Sequence, residues 1–200
     1  MEQSAKAELR RRVVAARRAV PVAVRAAEAV ALAAAALPVD RPATVCAYWP
    51  VGAEPGSPEL LDALVRRGCR VLLPLVTDQG PLDWADYRGA SSLRAGPLGL
   101  REPAGPLLGA AMIATAALVL VPALAVDRHG TRLGRGGGHY DRTLPLARSG
   151  IPLVAVVCDD EVLASVPSQP HDVPVTAALT PRRGLFTLPT DRAGQILRGR

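Results

Sequence analysis

The chain has 200 residues, of which 49% are hydrophobic and 21% charged, which is typical of one compact domain with a real core and short for two domains. The formal net charge of +6 permits a nucleic acid, an anionic membrane or a polyanionic small molecule as partner. Because no block of five or six basic residues occurs, and no aromatic residues alternate with the charge, we expect no nucleic-acid partner.

Cysteine spacing and the N-terminal composition indicate the cellular compartment. Cys46, Cys69 and Cys158 form neither a CxxC pair nor a metal-binding spacing, so we interpret them as buried hydrophobic residues in a reducing cytoplasm. We expect no signal peptide, because charge is dense at the start of the chain. The uncharged stretch 106–126 is interpreted as a buried strand with flanking turns and not as a membrane span. A soluble cytoplasmic monomer without a membrane partner is therefore expected.

In chain order, the N-terminal segment 1–37 is predicted to be helical, as one helix over residues 2–20 and an alanine-rich second helix over 21–36. A short β-type run follows over residues 44–49. Ser57-Pro58-Glu59 is a typical helix start, and that helix is expected to end at Gly68.

The remainder of the chain is dominated by apolar runs separated by turn residues. Strands are predicted at 70–76, 82–87, 117–121, 152–158 and 174–180, a helix at 140–148, and a polar tail of uncertain order at 185–200. The continuously apolar strand 117–121 is typical of a parallel sheet buried on both faces. The sequence therefore predicts an α/β protein, a single-domain three-layer α/β/α sandwich over residues 1–200 with a mostly parallel, Rossmann-like sheet.

A glycine-rich segment follows the strand 117–121 at the edge of the sheet where ligands bind in such folds. It consists of Arg132, Leu133, Gly134, Arg135, Gly136, Gly137, Gly138, His139, Tyr140 and Asp141. Glycines let backbone N–H groups approach phosphate oxygens, a following helix adds positive potential, and arginines neutralise anionic oxygens. Asp141 is placed to hold Mg²⁺ beside those phosphates. The spacing is neither a Walker A loop nor a dinucleotide fingerprint, so a tight structural turn is the alternative.

Three other positions are candidates for chemistry. Lys6 is the only lysine in an arginine-rich chain, which favours a role for its ammonium, although chance survival is equally open. His171 and Asp172 could carry a proton or bind a metal, or be solvated loop residues. Trp49 and Glu54 combine an aromatic ring with a carboxylate, which suits a flat, hydrogen-bonding heterocycle, although either could equally cap the core.

The segment 121–142 resembles the signature of the 5-formyltetrahydrofolate cyclo-ligase family, also called methenyltetrahydrofolate synthetases. Four further blocks occur in the family's order, and the resemblance spans Lys6 to Gly184. These blocks are Lys6 to Arg10 with Arg17; Tyr48, Pro50 and Glu54 with Val71 to Pro74; Leu98 to Pro103; and Pro167 with His171 to Val175 and Thr180.

The resemblance implies that ATP phosphorylates the formyl oxygen of 5-formyltetrahydrofolate, free or polyglutamylated. N10 then attacks the activated carbon, and phosphate leaves to give 5,10-methenyltetrahydrofolate and ADP. ATP and Mg²⁺ are the implied cofactors. The alternative is a non-catalytic folate- or nucleotide-binding homologue of the same fold.

The resemblance also assigns roles to residues. Catalysis falls to Glu54 and Arg135, and the Mg²⁺ ligands are Asp141 and Asp172. ATP contacts are Lys6, Arg10, Arg132, Leu133, Gly134, Arg135, Gly136, Gly137, Gly138, His139 and Tyr140. Folate contacts are Trp49, Glu54, Arg135, Gly136, Gly137, Gly138 and His139.

Four positions depart from the family pattern and bear on substrate packing and affinity. His139 stands where a tyrosine is common, and Gly137 where a lysine can occur. Glu161 replaces a frequent glutamine, and Val126 a usual aromatic residue.

Overall fold

A seven-stranded sheet forms the centre of the computed structural model, which describes residues 2–40, 42–77, 80–96 and 101–189. The strands are β1 (Thr44–Cys46), β2 (Arg70–Leu75), β3 (Asp83–Tyr87), β4 (Leu93–Ala95), β5 (Arg101–Pro103), β6 (Ala116–Pro122), β7 (Ala125–Asp127), β8 (Arg132–Leu133), β9 (Leu153–Val156), β10 (Val162–Leu163), β11 (Ala177–Thr180) and β12 (Gly184–Thr187). The helices are α1 (Glu2–Ala19), α2 (Val22–Ala33), α3 (Pro58–Arg66) and α4 (His139–Thr143). Short 3₁₀ helices lie at Ala90–Ser92, Ala110–Thr115, Leu144–Leu146 and Asp159–Glu161.

The strand order of the main sheet is β12-β11-β9-β6-β1-β2-β3. Its five inner strands are parallel, and only the edge strands β12 and β3 run antiparallel to their neighbours. Because the chain proceeds away from the β1–β6 pair in both directions, the order reverses there, and a crevice opens beyond the carboxyl ends of these two strands.

Both faces of the sheet are buried, as alternation along β2 illustrates. Val71 and Leu73 pack with α2 and α3 on one face, whereas Leu72 packs on the other face with Ile113 and Leu144 from two 3₁₀ helices. All three β2 residues are at most 1% exposed. The predicted α/β fold with a large, mostly parallel sheet between helical layers is confirmed.

The apolar side chains of α1 pack on a small second sheet. This sheet has the order β10-β7-β8, and its residues Ala125 and Leu133 form a separate apolar cluster with Leu9 and Val13 of α1. A third sheet consists of β4 and β5 alone. None of these five short strands was predicted, because two- or three-residue strands carry too little alternation to be recognised.

Several predicted boundaries are wrong for local physical reasons. The helix expected at 140–148 ends at Thr143 and continues as a 3₁₀ turn, since Pro145 has no N–H for the α-helical ladder. The predicted tail contains β12, an edge strand paired with β11 that depends on this partner for its hydrogen bonds. The first strand stops at Cys46, and the last inner strand begins only at Ala177.

Some predictions lie wholly or partly outside the described residues. These are the block 98–100 and the tail from residue 190 onward. That residues 1–200 form one domain stays a prediction. Among the residues that the structure describes, no helix is both long and apolar enough to cross a bilayer.

Candidate functional site

A cavity of about 570 Å³ opens at the carboxyl edge of the main sheet, where the strand order reverses. The segments after β1 and β6 line it, with Tyr48, Trp49 and Glu54 on one side and Pro122 to Leu124 on the other. Its volume lies within the range of about 300–1,000 Å³ that is usual for small-molecule sites. Every site residue predicted from the sequence lines this one cavity.

The glycine-rich segment forms one wall of the cavity, and at three of its glycines a side chain would be strained or crowded. Gly136 and Gly138 have φ values of +105° and +68°, a region that L-residues with a Cβ rarely adopt. A Cβ on Gly137 would lie 2.8 Å from the His139 ring. Within the described part of the chain, the backbone N–H groups of residues 134–138 donate no hydrogen bond to another protein group. Backbone N–H groups of this kind can donate hydrogen bonds to a bound anion.

The N-terminal part of α1 places Lys6 at the cavity, close to the loop that carries Asp172. The Lys6 ammonium lies 2.5 Å from Asp172 Oδ2 and 3.5 Å from Gln169 Oε1. The same Asp172 oxygen accepts the Gln169 N–H at 2.7 Å, while His171 points into solvent with its side chain 70% exposed. Lys6 is only 6% exposed, so this lysine has a specific internal position. Gln169 was missed, because nothing in its sequence context distinguishes it.

One helical turn after Lys6, Arg10 reaches the glycine-rich segment. Its Nε donates to the Gly134 carbonyl oxygen at 2.9 Å, and its guanidinium carbon lies 3.5 Å from the position of a Cβ on Gly136. Helix α1 and the glycine-rich segment therefore present cationic and N–H donors to the same part of the cavity.

Arg132 and Asp141 form the next contact in the cavity wall. Arg132 Nη2 donates to Asp141 Oδ1 at 2.7 Å, and Nη1 donates to the Val173 carbonyl oxygen. Asp141 Oδ1 also accepts the Val173 N–H at 3.0 Å. Since Val173 directly follows Asp172, the two predicted metal ligands are brought together. Leu133 is fully buried in the α1 cluster, so only its backbone is available to a ligand.

Glu54 and Arg135 form an ion pair across the cavity. Arg135 Nε lies 2.9 Å from Glu54 Oε1, and Glu54 Oε2 accepts the Val51 N–H at 3.0 Å. The Glu54 side chain is 12% exposed, whereas that of Arg135 is 64% exposed. The carboxylate is thus held in place by the backbone, and the arginine can move away.

Two tyrosine hydroxyls lie at the bottom of the cavity. Burial, with a smaller effect of the Glu54 charge, raises the pKa of Tyr140, so its phenol stays protonated. Its buried hydroxyl has no hydrogen-bond partner among the described residues. Tyr48 donates to the Pro55 carbonyl oxygen at 2.5 Å. Tyr140 therefore has a donor available for a polar ligand atom.

His139 and Arg142 fix the far end of the glycine-rich segment. Arg142 donates to the carbonyl oxygens of Gly137 at 3.0 Å and Gly80 at 3.1 Å, and its Nη2 lies 3.1 Å from His139 Nδ1. Burial, with a smaller effect of the Arg142 charge, lowers the pKa of His139, which favours a neutral imidazole. Arg142 was not assigned a role from the sequence, although it directly follows the predicted metal ligand Asp141.

The donor set at Asp141 and Asp172 fits a cation that a ligand helps to bind. No group of three or more His, Cys, Asp or Glu side chains suited to a metal occurs in the described part of the chain. Mg²⁺, however, commonly uses one or two carboxylates together with phosphate oxygens and water. Oδ2 of Asp141 and Oδ1 of Asp172 are the carboxylate oxygens that remain outside the short contacts described above.

The other two departures from the family pattern, Val126 and Glu161, are not among the residues that line the cavity. Val126 is fully buried in the core, next to the main sheet. Glu161 is 7% exposed and forms a two-point ion pair with Arg17. That Glu161 bears on substrate packing and affinity stays a prediction.

Comparisons with known proteins agree on one family. A sequence model of the 5-formyltetrahydrofolate cyclo-ligase family matches residues 2–181. A 5-formyltetrahydrofolate cyclo-ligase of Mycolicibacterium smegmatis is 49% identical over 195 residues, covering 94% of this chain and 100% of that protein. The protein of that name from Escherichia coli is 30% identical over 149 residues, covering 73% and 82% of the two chains.

Solved structures show the same fold. The solution structure of Aquifex aeolicus 5,10-methenyltetrahydrofolate synthetase matches with a TM-score of 0.76 and 25% identity over 92% of each chain. The synthetase from Mycoplasma pneumoniae matches with a TM-score of 0.68 at 17% identity, over 86% of this chain and 96% of that chain, and supports the fold alone. The chain belongs to the 5-formyltetrahydrofolate cyclo-ligase family.

Proposed function

We propose that this enzyme converts 5-formyltetrahydrofolate to 5,10-methenyltetrahydrofolate, with ATP as phosphoryl donor and ADP and phosphate as products. Family membership supports the cyclo-ligase reaction. The assignment of the site rests on one observation. A single cavity contains both the N–H donors of the glycine-rich segment and the Glu54–Arg135 ion pair. A phosphoryl donor and a folate must meet in one such space.

The ATP half of the site is proposed to be the segment 134–138 with Lys6 and Arg10. Phosphoryl transfer depends mainly on positioning and charge neutralisation. The backbone N–H groups of 134–138 supply donors, and Lys6 and Arg10 supply two positive charges from one helix face. Arg132 contributes by orienting Asp141, since the donors described for it go to Asp141 and Val173.

Asp141 and Asp172 are proposed to hold Mg²⁺ together with the phosphates. When bound, the ion would neutralise charge on the transferring phosphoryl group. The contribution of this chain is to orient the two carboxylates, through Arg132 and the Val173 N–H for Asp141, and through Lys6 and the Gln169 N–H for Asp172.

The folate half is proposed to lie between Trp49 and Glu54. Phosphorylation turns the formyl oxygen into a good leaving group, and N10 attacks the carbon and loses its proton. The Glu54 carboxylate, 12% exposed and held by the Val51 N–H, is suited to accept that proton as the phosphate leaves. Arg135, paired with Glu54 and largely exposed, can turn toward the departing phosphate.

Turnover by the purified protein tests this proposal. We expect the methenyl product, detected by its absorbance, and one ADP for each product molecule. No product should form when ATP or Mg²⁺ is omitted. Binding of folate and ATP without ADP release would instead indicate a non-catalytic homologue. Cytoplasmic location and a monomeric state are proposed alongside; all three cysteines are free thiols, which is compatible with a reducing compartment.

A further inference from the structure

Arg17 and Glu161 form a buried ion pair that the reaction described above does not use. Arg17 Nε donates to Glu161 Oε1 at 2.6 Å, and Nη2 donates to Oε2 at 2.8 Å. The two side chains are 6% and 9% exposed. Burial alone would lower the pKa of Arg17, but the hydrogen bonds and charge of Glu161 raise it above its usual value. The Arg17 guanidinium therefore stays protonated.

The pair joins three elements of the fold at the edge of the cavity. Arg17 Nη2 also donates to the Ala123 carbonyl oxygen at 2.6 Å, just beyond the end of β6. Glu161 Oε2 accepts the Cys158 N–H at 2.7 Å, just beyond the end of β9. One guanidinium thus ties the C-terminal turn of α1 to the carboxyl ends of two neighbouring parallel strands.

Few apolar side chains hold α1. Among the described residues of this helix, Leu9 and Val13 are the only buried hydrophobic side chains, and the half-buried Val14 packs against the same cluster. Arg17 moreover lines both the main cavity and a second cavity of about 260 Å³ between α2 and the loop 52–56. With a cavity on each side, directed hydrogen bonds and not packing determine where this end of the helix lies.

The same helix carries Lys6 and Arg10. Lys6 precedes Arg17 by three helical turns, which is about 16 Å along a rigid α-helix. A displacement of the Arg17 end of a rigid helix would also displace the Lys6 ammonium, which lies 2.5 Å from Asp172. We propose that Arg17 and Glu161 are positioning residues that dock α1 against the sheet and so place Lys6 and Arg10 at the triphosphate site. This role rests on the proposed function of the cavity.

A double substitution, Arg17→Met with Glu161→Met, tests the proposal without leaving a buried charge unpaired, since apolar replacement of a buried ion pair is commonly tolerated. Arg18→Met is the control, because Arg18 is exposed on the same turn of α1. We expect the KM for ATP to rise about 10- to 100-fold in the double variant, while the folate KM changes less than about twofold. The control should stay near the wild type.

The second readout is acylation of Lys6, the only lysine of the chain, by an amine reagent, measured on the Lys6 peptide by mass spectrometry. We expect slow acylation in the wild type, protection by a non-hydrolysable ATP analogue, and several-fold faster acylation in the double variant. This readout does not require turnover. An inactive wild type would therefore refute the proposed function, while acylation still decides the role of the pair.

Two results would overturn the positioning role. One is a folded double variant with ATP KM and Lys6 acylation like those of the Arg18→Met control. The other is an equal rise of both KM values, which indicates general loosening of the protein. If the double variant does not fold, Glu161→Gln decides by the same two readouts, because it keeps the size of the side chain but removes the carboxylate charge and replaces one of the two oxygens that accept from Arg17 by a donor. Wild-type values in that variant would then refute the proposal.

Discussion

Replacing Lys6 by arginine separates a specific role of the ammonium from mere positive charge. The Lys6 side chain is 7% exposed, and its Nζ is confined by Asp172 at 2.5 Å and Gln169 at 3.5 Å. A guanidinium is longer, planar and carries five donors in a fixed arrangement, so it does not fit this position without displacing α1 or Asp172.

The expected loss of kcat/KM for ATP follows from the hydrogen bond between the Lys6 ammonium and ATP that the substitution weakens or removes. A hydrogen bond to a charged group contributes about 1.5–3 kcal/mol. Because each 1.36 kcal/mol is tenfold, losing it corresponds to about 10- to 150-fold in kcat/KM for ATP. Lys6→Arg keeps the charge, so we expect a loss near the lower end, about 10-fold, whereas Lys6→Met should lose about 100-fold.

The assay is steady-state turnover at varied ATP and saturating folate, with thermal unfolding measured on each variant. Arg12→Lys is the matched control, since Arg12 is exposed on the same helix. It should leave kcat/KM for ATP unchanged. If Lys6→Arg had wild-type kinetics, the single lysine would be a chance survivor and its assignment to ATP would be wrong.

Three further predictions concern the rest of the cavity. Asp141→Asn should lower turnover at least about 10-fold and shift the Mg²⁺ requirement upward, whereas Asp86→Asn, an arginine-paired carboxylate with the same 23% exposure, should not; near-normal turnover at ordinary Mg²⁺ would refute the metal role. Glu54→Gln should lower kcat about 100-fold or more with little change in the KM for ATP, and an unchanged kcat would remove Glu54 from catalysis. The imidazole of His139, titrated by NMR, should have its midpoint below 6.5. The contribution of the neutral His139 imidazole to the free energy of unfolding is then complete above pH 6.5 and lost as the pH falls through the lowered pKa. A midpoint at or above 6.5 would contradict the argument that burial lowers this pKa.

The sequence predicted those parts of the fold that have strong local signals. The apolar strand 117–121 and the start of α3 at Pro58 were recognised from hydrophobic runs and capping residues. The strand β12 and the small sheet β10-β7-β8 were missed, because strands of two to four residues carry too little alternation to be recognised. β12 and β8 form hairpins with the strands that precede them, whereas β10 pairs with β7, which is distant in sequence. Pairing with a partner strand, and not local propensity, determines these elements.

The candidate site was predictable where glycines and charges are concentrated, as in the segment 134–138. Its depth was not. That the buried Tyr140 hydroxyl has no partner among the described residues depends on tertiary packing, and that Arg17 donates to Glu161 and Ala123 depends on how α1 docks at the carboxyl edge of the sheet. Such contacts join residues more than one hundred positions apart, and a single sequence gives no periodicity for them.

The central claim is that the formyl oxygen is phosphorylated by ATP in this cavity and leaves as phosphate. Turnover of 5-formyltetrahydrofolate labelled with ¹⁸O in the formyl group tests it most directly, with mass analysis of the released phosphate. The account predicts methenyl product together with ¹⁸O-labelled inorganic phosphate, one labelled phosphate for each product molecule. Unlabelled phosphate, or no methenyl product from folded protein supplied with ATP and Mg²⁺, would contradict it.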